Sequence, residues 1–536
     1  SQPLRTLSVP NLIFKEREVD SKAQSIFLLL GGTGVGYSVQ KHHVEKLPIV
    51  NESFHATDTV IKVGDSRPGW AKSLRELISL LYAGQIPKWD TSEVRPAGAR
   101  LKTFGGRASG PAPLEELFHF CVEKFKGAAN RRLYPIECHD IMCKIGEVVV
   151  VGGGAGGATA ARYIAKDSKG AIDVTLIEAS KQYYTCFYSN LYLGGFREYD
   201  SIGHSYDNLS ANHGVNVVHD WAISVDSSAR KVRLGSGASV SYDRLVLSPG
   251  IDIKYDSING YSVEAQTKMP HAWKSGTQVK VLRDQVLNMP KGGTFAMVPP
   301  PNPYRCPPGP YERISMVAHI LKERNPTAKI VVVDPKNKFS KQGLFMAGWE
   351  KHYPGMVEWI DNDTHGGIKN VNPETMEIET DLDTFKADVA CVVPAQKAGA
   401  IAMNAGVTDG DWSPIIPASM QTKADSNIYV LGDASVASSM PKSGFSANSQ
   451  AKVAANHIRG ELTGSKVFAA KFSNTCWSLV ATNDGIKVGA NYKAGEEKIE
   501  AVEKFVSKTD ENNAKRKKTY EESIGWYNGI TTDMFS

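Results

Sequence analysis

The chain has 536 residues, of which 41% are hydrophobic and 22% are charged, and this composition is typical of a folded globular protein and excludes a disordered one. The net charge of +5 is small for this length and gives no indication of nucleic-acid binding. No stretch approaches the ~18 consecutive apolar residues of a transmembrane helix, and no signal peptide is recognisable at the start. Length alone predicts about three to four domains.

The sequence of residues 1–146 contains one apolar run and predicts several helices. The run, Leu28–Val39, is interrupted by glycines, whereas Trp70–Tyr82 has the i, i+3, i+4 apolar spacing of an amphipathic helix. Two further helices are predicted over Leu114–Phe125 and Ile136–Ile145. Three cysteines fall in helical patterns here, and we interpret them as buried packing residues: Cys121, Cys138 and Cys143.

Three motifs in this segment are long and specific: GGTGVGYSVQKHHVEKLP, EVRPAGARLKTFGGRASGP and IECHDIMCKIGEVVVVGG. They resemble the catalytic subunit of adenosylcobalamin-dependent ribonucleotide reductases. The resemblance ends near residue 150, and the second half of the reductase barrel has no counterpart. We therefore expect a fragment with unpaired strand edges and an incomplete core, which does not reduce ribonucleotides. The stretch VVVVGG also fits the start of the next domain, as in a gene fusion.

A dinucleotide-binding motif begins at this point. Val148–Val151 predicts a strand buried on both faces of a parallel sheet, and Ala158–Ala165 predicts the helix that follows it. The turn between them carries glycines in G-x-G-x-x-G spacing, which lets backbone N–H groups approach a pyrophosphate: Gly152, Gly154 and Gly157. A second strand, Asp173–Ile177, ends at Glu178, whose carboxylate is placed to accept from a ribose hydroxyl.

The later part of the chain favours FAD over NAD at this site. Tyr242–Gly250 predicts a strand that runs into a Ser-Pro-Gly turn, and Asn427–Asp433 predicts a strand that ends in an aspartate. In flavin oxidoreductases an aspartate at this place hydrogen-bonds the ribityl chain of FAD. The following segment, which includes Lys442 and Ser443, predicts a helix whose N-terminus faces the N1 and O2 region of the flavin ring.

A second nucleotide-type domain is predicted between these two parts. Its core strands are visible at Thr294–Val298 and Lys329–Asp334. The loop after the first strand, residues 298–313, reads VPPPNPYRCPPGPYER instead of a glycine-rich turn. Prolines have no N–H group to donate to a phosphate, so we expect that NAD(P)H does not bind there and that the electrons come from another source.

Three cysteines of this part are candidate site residues: Cys186, Cys306 and Cys476. The seven cysteines of the chain form no zinc-type C-x-x-C pattern. Each of the three has an alternative interpretation as a small buried hydrophobic residue. Prolines near Cys306 favour instead a sulfur that is fixed and exposed in a stiff loop.

Residues 147–536 closely resemble the flavoprotein subunit of flavocytochrome c sulfide dehydrogenase. The resemblance rests on VVVVGGGAGGATAARYI, TLIEASKQYYTCFYSN, YRCPPGPYER, MPKSGFSANSQAKVAA, NTCWSLVA and WYNGITTDMF. It implies that Cys186 joins the 8α-methyl group of FAD as a thioether, and that Cys306 and Cys476 form a redox-active disulfide. It also implies that Glu312 is the nearby acid or base and that Trp526 lies near the flavin.

The resemblance implies an α/β fold with two Rossmann-like domains of the FAD/NAD-linked disulfide reductase type and an α+β C-terminal domain. The expected parts after residues 1–146 are 147–262 and 385–465 for FAD binding, 263–384 for the second domain and 466–536 for the C-terminal interface domain. One departure from the family is Glu496–Lys518, which is more charged and helix-like than expected, although the basic run Lys515–Lys518 is typical of a solvated helix face.

The implied activity is oxidation of sulfide to sulfur or polysulfide, with electrons passed to a c-type cytochrome in the periplasm. The chain has no C-x-x-C-H motif, so any haem belongs to a partner subunit. A sulfide:quinone oxidoreductase is an alternative, but the tail Thr519–Ser536 lacks the long apolar face needed for membrane binding. The proline loop disfavours a type II NADH dehydrogenase. An inactive fusion that carries a reductase fragment is the remaining alternative.

Overall fold

The computed structural model describes residues 44–96, 99, 110–135, 137, 138, 141, 147–169, 172–274, 276–463 and 465–536. The chain divides into two compact units, Ser1–Lys144 and Ile145–Ser536. Within the described ranges, no helix has the length and apolar character to span a membrane. The predicted apolar run Leu28–Val39, most of the helix predicted over Ile136–Ile145, and Cys143 lie outside the described residues.

The N-terminal unit contains a parallel pair of strands and two helices. Strands β1 (His55–Lys62) and β2 (Gln85–Asp90) pair in parallel and are connected by helix α1 (Arg67–Tyr82). Ser66 caps this helix by accepting a hydrogen bond from the Gly69 N–H, and a proline occupies its first turn. Helix α2 (Ala112–Gly127) follows. Both helices predicted from apolar periodicity are confirmed, each slightly longer than predicted.

The described part of the N-terminal unit has its own hydrophobic core. Ile61, Leu77, Phe118 and Phe125 are fully buried in it. Cys121 and Cys138 belong to the same core, as predicted. The two helices and the strand pair contribute to this core, but six of the eight residues of β1 are exposed, so the expectation of an incomplete core with open strand edges stays a prediction.

The first sheet of the C-terminal unit is parallel and has five strands. Its order is β22-β11-β3-β4-β7, and its strands are β3 (Glu147–Val151), β4 (Asp173–Ile177), β7 (Asn216–Val218), β11 (Arg244–Leu247) and β22 (Ile428–Val430). The valines of β3 are buried, as expected for a central strand. Helices α3 (Ala155–Ser168) and α11 (Gly444–Thr463) pack together beside this sheet, where the Asn448 amide donates to the Thr159 hydroxyl at 2.9 Å.

Shorter elements surround this sheet. Between β4 and β11 lie β5 (Gln182–Tyr184), α4 (Ser189–Leu193), β6 (Gly203–Ser205), α5 (Asp207–His213), β8 (Ala222–Asp226), β9 (Lys231–Leu234) and β10 (Ser239–Ser241). Strands β8, β9 and β10 form an antiparallel sheet, and β5 pairs with β6. The remaining elements near β22 are β12 (Ile251–Ile253), β20 (Gln396–Ala398), α10 (Ala400–Asn404), β21 (Ser413–Pro414) and β23 (Ser435–Val436).

The second parallel sheet has the order β15-β14-β13-β19. Its strands are β13 (Thr294–Val298), β14 (Lys329–Val333), β15 (Val357–Ile360) and β19 (Val389–Val392). The helices of this region are α6 (Gln278–Leu287), α7 (Gly309–Arg324), α8 (Gln342–His352) and α9 (Asn362–His365). A small antiparallel sheet contains β16 (Ile368–Asn372), β17 (Glu377–Thr380) and β18 (Thr384–Lys386). Both predicted core strands are confirmed.

The chain ends in an antiparallel sheet and a long helix. The sheet contains β24 (Lys471–Ala481), β25 (Asp484–Ala494) and β26 (Ile499–Val506), and the helix is α12 (Asn513–Phe535). The helix-like interpretation of Glu496–Lys518 is wrong for β26, because pairing with β25 overrides its charged composition. The basic run 515–518 is on α12 with its lysines exposed, but Arg516 is buried and paired with Asp484.

Candidate functional site

The glycine-rich turn brings the start of α3 close to the end of β3. Gly152 has φ +95°, and a Cβ atom on Gly157 would lie 1.8 Å from the Gly152 carbonyl oxygen. A side chain is therefore excluded at both positions. The Ser248 carbonyl of the predicted Ser-Pro-Gly turn also approaches Gly152, so three backbone segments meet here. Gly154 immediately precedes α3, where backbone N–H groups are available to a phosphate.

Glu178 connects this turn to the rest of the site. Its Oε2 accepts a hydrogen bond from the Gly153 N–H at 2.8 Å, which holds the carboxylate beside the glycine turn. Tyr183 is partly buried next to it, and burial raises the pKa of the Tyr183 phenol well above its usual value. The charges of Cys186 and Arg305 also act on the pKa of this phenol, so the glycine turn and the cysteine region are neighbours.

The second predicted FAD segment carries Asp433, Lys442 and Ser443. Lys442 Nζ donates to the Asp433 and Ser435 carbonyls at 2.7 and 2.8 Å, and burial lowers the pKa of Lys442 to about 8. The Ser443 hydroxyl accepts from the Ser446 N–H at 3.1 Å and so caps the start of α11. The positive end of this helix dipole therefore lies at Ser443.

Cys306 occupies the proline loop between β13 and α7. It adopts a left-handed backbone conformation, φ +60°, which is uncommon for a residue with a side chain and is found at functional sites. Its N–H donates to the Lys442 carbonyl at 2.7 Å, and the Trp273 indole donates to the Arg305 carbonyl at 3.2 Å. The first bond connects the loop to the residues before α11, and the second connects it to Trp273.

Three distant cysteines line one cleft of the C-terminal unit. Cys186, Cys306 and Cys476 lie on its wall with Glu312 and Trp526. The cleft is also lined by the start of α11 and by β24, through Ser443, Gly444, Phe445, Thr475, Trp477, Ser478 and Leu479. The structure therefore brings together every residue for which the sequence suggested sulfur chemistry.

Cys476 is buried, Cys186 and Cys306 are partly buried, and the three thiols differ in the charges beside them. Burial raises the pKa of each, that of Cys306 well above its usual value because Cys476, Glu312 and Cys186 add further negative charge. Asn474 donates a hydrogen bond to Cys476 Sγ at 3.4 Å, which opposes the rise of the Cys476 pKa. Cys476 is among the charges that raise the pKa of Cys306, and both cysteines are free thiols in the structure.

Glu312 is held in the first turn of α7. Its Oε2 accepts from the Asn190 amide at 3.0 Å, and its Oε1 accepts from the Leu479 N–H at 2.9 Å. Burial raises the pKa of Glu312, although both hydrogen bonds stabilise the charged form and oppose the rise. A carboxyl group with a raised pKa is suited to exchanging protons near neutral pH.

Aromatic side chains form the opposite part of the cleft. Trp526 packs against Trp477 with 5.3 Å between ring centroids and against Phe187 with 5.4 Å. Phe187 also lies where a Cβ on Gly444 would be, so the loop after Cys186 presses against the start of α11. The cleft that contains the three cysteines therefore has an aromatic wall.

Two charged residues of the site were not predicted. Lys341 is partly buried beside β24, and its Nζ donates to the Cys476 carbonyl at 3.0 Å and to the Ser478 hydroxyl at 2.8 Å. Burial lowers the pKa of Lys341 to about 8. Arg305 carries positive charge beside Cys186 and Asp433. Arg305 could have been predicted as a site residue because it precedes Cys306 in the sequence, whereas nothing local in the sequence distinguishes Lys341 from other lysines.

Two orphaned polar atoms test whether the cleft fits a flavin. Asp433 Oδ1 and Trp477 Nε1 are buried and have no hydrogen-bond partner among the described residues. Buried polar atoms are normally satisfied by a partner. Trp477 lines the cleft, and Asp433 does not line it but is close enough to Cys186 for its charge to raise the pKa of that thiol, so the two unpaired atoms indicate a polar ligand at this site. FAD offers ribityl hydroxyls and ring carbonyls as partners of these two types. The residues present therefore fit this cofactor.

Family models match the C-terminal unit in three consecutive parts. Residues 146–285 match pyridine nucleotide-disulphide oxidoreductases. Residues 279–394 match the central domain of the flavoprotein chain of sulfide dehydrogenase [flavocytochrome c], and residues 468–535 match the flavin-binding domain of flavocytochrome c sulphide dehydrogenase. Residues 279–394 and 468–535 therefore match two domains of the flavocytochrome c sulfide dehydrogenase flavoprotein chain. The unit is a flavoprotein oxidoreductase of the sulfide dehydrogenase type, and FAD is the cofactor for which its domains are built.

Solved structures confirm the predicted fold class of this flavocytochrome c-type unit. A sulfide:quinone oxidoreductase from Aquifex aeolicus is 18% identical with a TM-score of 0.54, and the match covers 72% of this chain and 92% of that chain. An NAD-dependent persulfide reductase from A. fulgidus is 19% identical with a TM-score of 0.51, covering 66% and 65% of the two chains. Both show the FAD/NAD-linked disulfide reductase fold.

The N-terminal unit matches a different enzyme class, as predicted. Residues 37–123 match the insertion domain of B12-dependent ribonucleotide reductase. The adenosylcobalamin-dependent ribonucleoside-triphosphate reductase of Lactobacillus delbrueckii subsp. bulgaricus is 30% identical over 181 residues, which are 27% of this chain and 24% of that protein. The chain thus spans about a quarter of the length of the curated relatives it matches. The match to an insertion domain agrees with the separate small core.

Proposed function

We propose that this chain oxidises sulfide to sulfur or polysulfide through a redox-active disulfide and passes the electrons to a c-type cytochrome. The observation that carries the proposal is the convergence of Cys186, Cys306 and Cys476 on one cleft with Glu312 and Trp526. These residues lie far apart in the sequence, and cleft thiols with perturbed pKa values beside an acid are typical of a redox site.

In this proposal the chain holds FAD through residues of both FAD segments. Backbone groups of the glycine turn bind the pyrophosphate, Glu178 binds the ribose, Asp433 binds the ribityl chain, and Cys186 attaches the ring as a thioether. The glycines concerned are Gly152, Gly154 and Gly157. Lys442 and Ser443 supply positive charge and the start of α11 near the ring. FAD, when bound, accepts an electron pair and returns electrons singly.

Sulfide chemistry begins at the proposed disulfide between Cys306 and Cys476. Hydrosulfide attacks one sulfur, so that a new S–S bond forms, the old one breaks, and the second cysteine leaves as a thiolate. The proton of hydrosulfide stays on the terminal sulfur of the persulfide, and total charge is unchanged. Sulfide is largely ionised near neutral pH, so this step needs no base. Glu312 then takes up the persulfide proton on a carboxylate oxygen, with its raised pKa as support.

The proposed partner and compartment follow from the same chemistry. The chain has no C-x-x-C-H motif, so the haem acceptor is a separate cytochrome subunit. A stable disulfide and a c-type cytochrome both belong in an oxidising compartment, and we place the protein in the periplasm.

Absorbance spectroscopy of the purified protein tests the proposal. We expect a flavin spectrum, flavin that stays with the protein after acid precipitation, and bleaching on anaerobic addition of sulfide. A Cys186→Ser variant releases its flavin in acid, and a Cys306→Ser variant keeps bound flavin but no longer bleaches. Reoxidation by cytochrome c, and not by a water-soluble quinone, identifies the acceptor class.

Specific results would contradict parts of this proposal. A colourless protein, purified from cells with ample flavin, removes the dehydrogenase function and favours an inactive fusion. Bleaching by NADH but not by sulfide would show that the proline loop does bind a nicotinamide. Faster reoxidation by quinone than by cytochrome c would favour a sulfide:quinone oxidoreductase.

A further inference from the structure

A second cavity reaches Cys476 from outside the cleft. It has an empty volume of about 1280 Å³, including its open mouth. Cys476 lines both spaces, whereas Cys306 lines the cleft but not the second cavity. The loop that carries Cys306 contributes Pro307 and Pro308 to the wall of the second cavity. The cavity therefore meets the proposed disulfide at its Cys476 end.

The floor of the second cavity is one face of the C-terminal antiparallel sheet. Cys476 is directly opposite Val488, and Val488 is opposite Val506. Asn474 and Ala490 form the next pair, and all five residues line the cavity. Directly opposed residues share a face of an antiparallel sheet, so the Cys476 side chain points onto this floor.

The cavity lining is apolar and carries a positive charge. Prolines, valines, alanines and the ring of Tyr492 form most of its surface, and Lys504 is exposed on β26. Polarisable sulfur atoms pack well against apolar and aromatic groups. The lining therefore complements an anion whose body is a chain of sulfur atoms.

We propose that the second cavity binds the hydropolysulfide chain that grows on Cys476. This inference rests on the proposed sulfide oxidation. Hydrosulfide enters through the cavity and attacks Cys476 Sγ, forming a Cys476 persulfide and releasing Cys306 as a thiolate beside Arg305. A second hydrosulfide then attacks the outer sulfur of the Cys476 persulfide, which releases a hydrodisulfide anion and returns Cys476 as a thiol. The Cys306 and Cys476 pair re-forms its disulfide by giving two electrons to the flavin of the proposed function, which passes them to the cytochrome. The released anion lies along the sheet face with its negative end toward Lys504, and its attack on Cys476 in the next cycle makes the chain one sulfur longer.

Two features of the site favour attack by hydrosulfide at different cysteines, so an experiment can determine which cysteine is attacked. Lys341 and Asn474 stabilise a Cys476 thiolate, which favours Cys476 as the leaving group and attack at Cys306. Access from the second cavity favours the opposite result. Mass spectrometry of the full-length holoprotein, treated with one equivalent of sulfide and then alkylated, locates the added sulfur. We expect it on Cys476, and persulfide on Cys306 alone overturns the proposal.

Cavity variants test the binding of the chain. Ala501 lines the cavity, and the neighbouring Val502 does not and is 58% exposed, so Ala501→Trp and Val502→Trp are a matched pair. Lys504→Glu reverses the charge on the cavity wall, and Lys471→Glu is its control on β24. With sodium tetrasulfide as probe, we expect at least tenfold weaker binding in Ala501→Trp and Lys504→Glu and no change in either control. We also expect shorter polysulfide products, measured by bimane derivatisation and chromatography.

Tetrasulfide binding and bleaching by sulfide distinguish failure of this inference from failure of the proposed function. If all four variants bleach with sulfide and bind tetrasulfide like the unaltered protein, the cavity proposal fails and sulfide oxidation stands. If sulfide bleaches none of the proteins, including the unaltered one, the proposed function fails, and the inference that rests on it fails too. Flavin content and melting temperature show whether a variant is misfolded. If Ala501→Trp is misfolded, the comparison of Lys504→Glu with Lys471→Glu tests the cavity proposal.

Discussion

Single charged residues near the cysteine sulfurs of the cleft control the reactivity of the thiols. Lys341 is the clearest case, because its ammonium group hydrogen-bonds the Cys476 carbonyl and favours the Cys476 thiolate. A Lys341→Met variant should therefore raise the pKa of the Cys476 thiol and slow its alkylation at pH 7.5 roughly five-fold. Iodoacetamide labelling of the reduced protein, followed by peptide mass spectrometry, measures this rate.

The charge of Lys341 also gives the pH dependence a defined direction. Burial lowers the pKa of Lys341 to about 8, so the ammonium loses its proton as pH rises through this value. The difference between the unaltered protein and Lys341→Met should be largest below pH 8 and shrink above it. Lys341→Arg should retain the low-pH rate, and Lys338→Met, an exposed control, should match the unaltered protein. Equal alkylation rates in all variants would exclude this role for Lys341.

Asp433 is expected to hydrogen-bond the ribityl chain of FAD. Its buried Oδ1 lacks a hydrogen-bond partner among the described residues, and burial raises the pKa of its carboxyl group. Asp433→Leu, which cannot hydrogen-bond a ribityl hydroxyl, should lower the ratio of flavin to protein at least three-fold. Absorbance at 450 and 280 nm measures the ratio. Asp409→Leu, at an exposed position, is the control, and equal flavin content in both variants would contradict the assignment.

The cysteines and glycines were predictable from sequence because their chemistry is local. The G-x-G-x-x-G spacing predicted that other backbone segments approach Gly152 and Gly157 closely, and the structure shows these close approaches. Prolines marked the loop of Cys306 as stiff. Lys341 was not predictable, because its role depends on a tertiary contact with β24 that no local pattern records.

Helix α12 contributes to the cleft at the element scale. The Tyr527 hydroxyl lies 3.2 Å from the Thr185 hydroxyl and 3.1 Å from His204 Nε2, and Trp526 lines the cleft. The helix therefore ties the loop before Cys186 to the end of the chain. Its sequence shows little amphipathic character, and this is why its buried face could not be predicted from periodicity.

Removal of one hydroxyl tests this connection. Tyr527→Phe leaves the Thr185 and His204 side chains without this partner, and we expect a loss of about 1–2 kcal/mol in the free energy of unfolding. Thermal release of flavin, followed by fluorescence, should shift to lower temperature. Tyr520→Phe on the same helix is the control. A Tyr527→Phe midpoint equal to that of the control would show that these hydrogen bonds add no stability.

Strand β26 shows where element prediction fails. The charged stretch Glu496–Lys518 that contains it was interpreted as helix-like, although β26 itself has three β-branched residues among eight, Ile499, Val502 and Val506. Hydrogen bonding to β25 decides the outcome, because strand preference depends on neighbours more than helix preference does.

At the scale of the whole molecule, the site belongs to one unit. Every residue that lines the cleft lies between Cys186 and Trp526. A truncated chain that begins at Ile145 should therefore fold, bind flavin and bleach with sulfide at the rate of the full chain. Stopped-flow absorbance measures the rate, and Gly152→Val in the same truncation is a flavin-deficient control. A colourless truncated protein would show that the N-terminal unit is needed for cofactor binding.

The parallel sheet that carries the glycine turn also has a consequence for synthesis. Its edge strand β22 pairs with β11 but is translated long after β11, β3 and β4. On the ribosome, the nascent chain consequently exposes an open sheet edge while the whole second domain is being made. Flavin loading has to wait until β22 emerges, so the supply of FAD matters late in translation and a ribosome that stalls before this strand leaves an aggregation-prone intermediate.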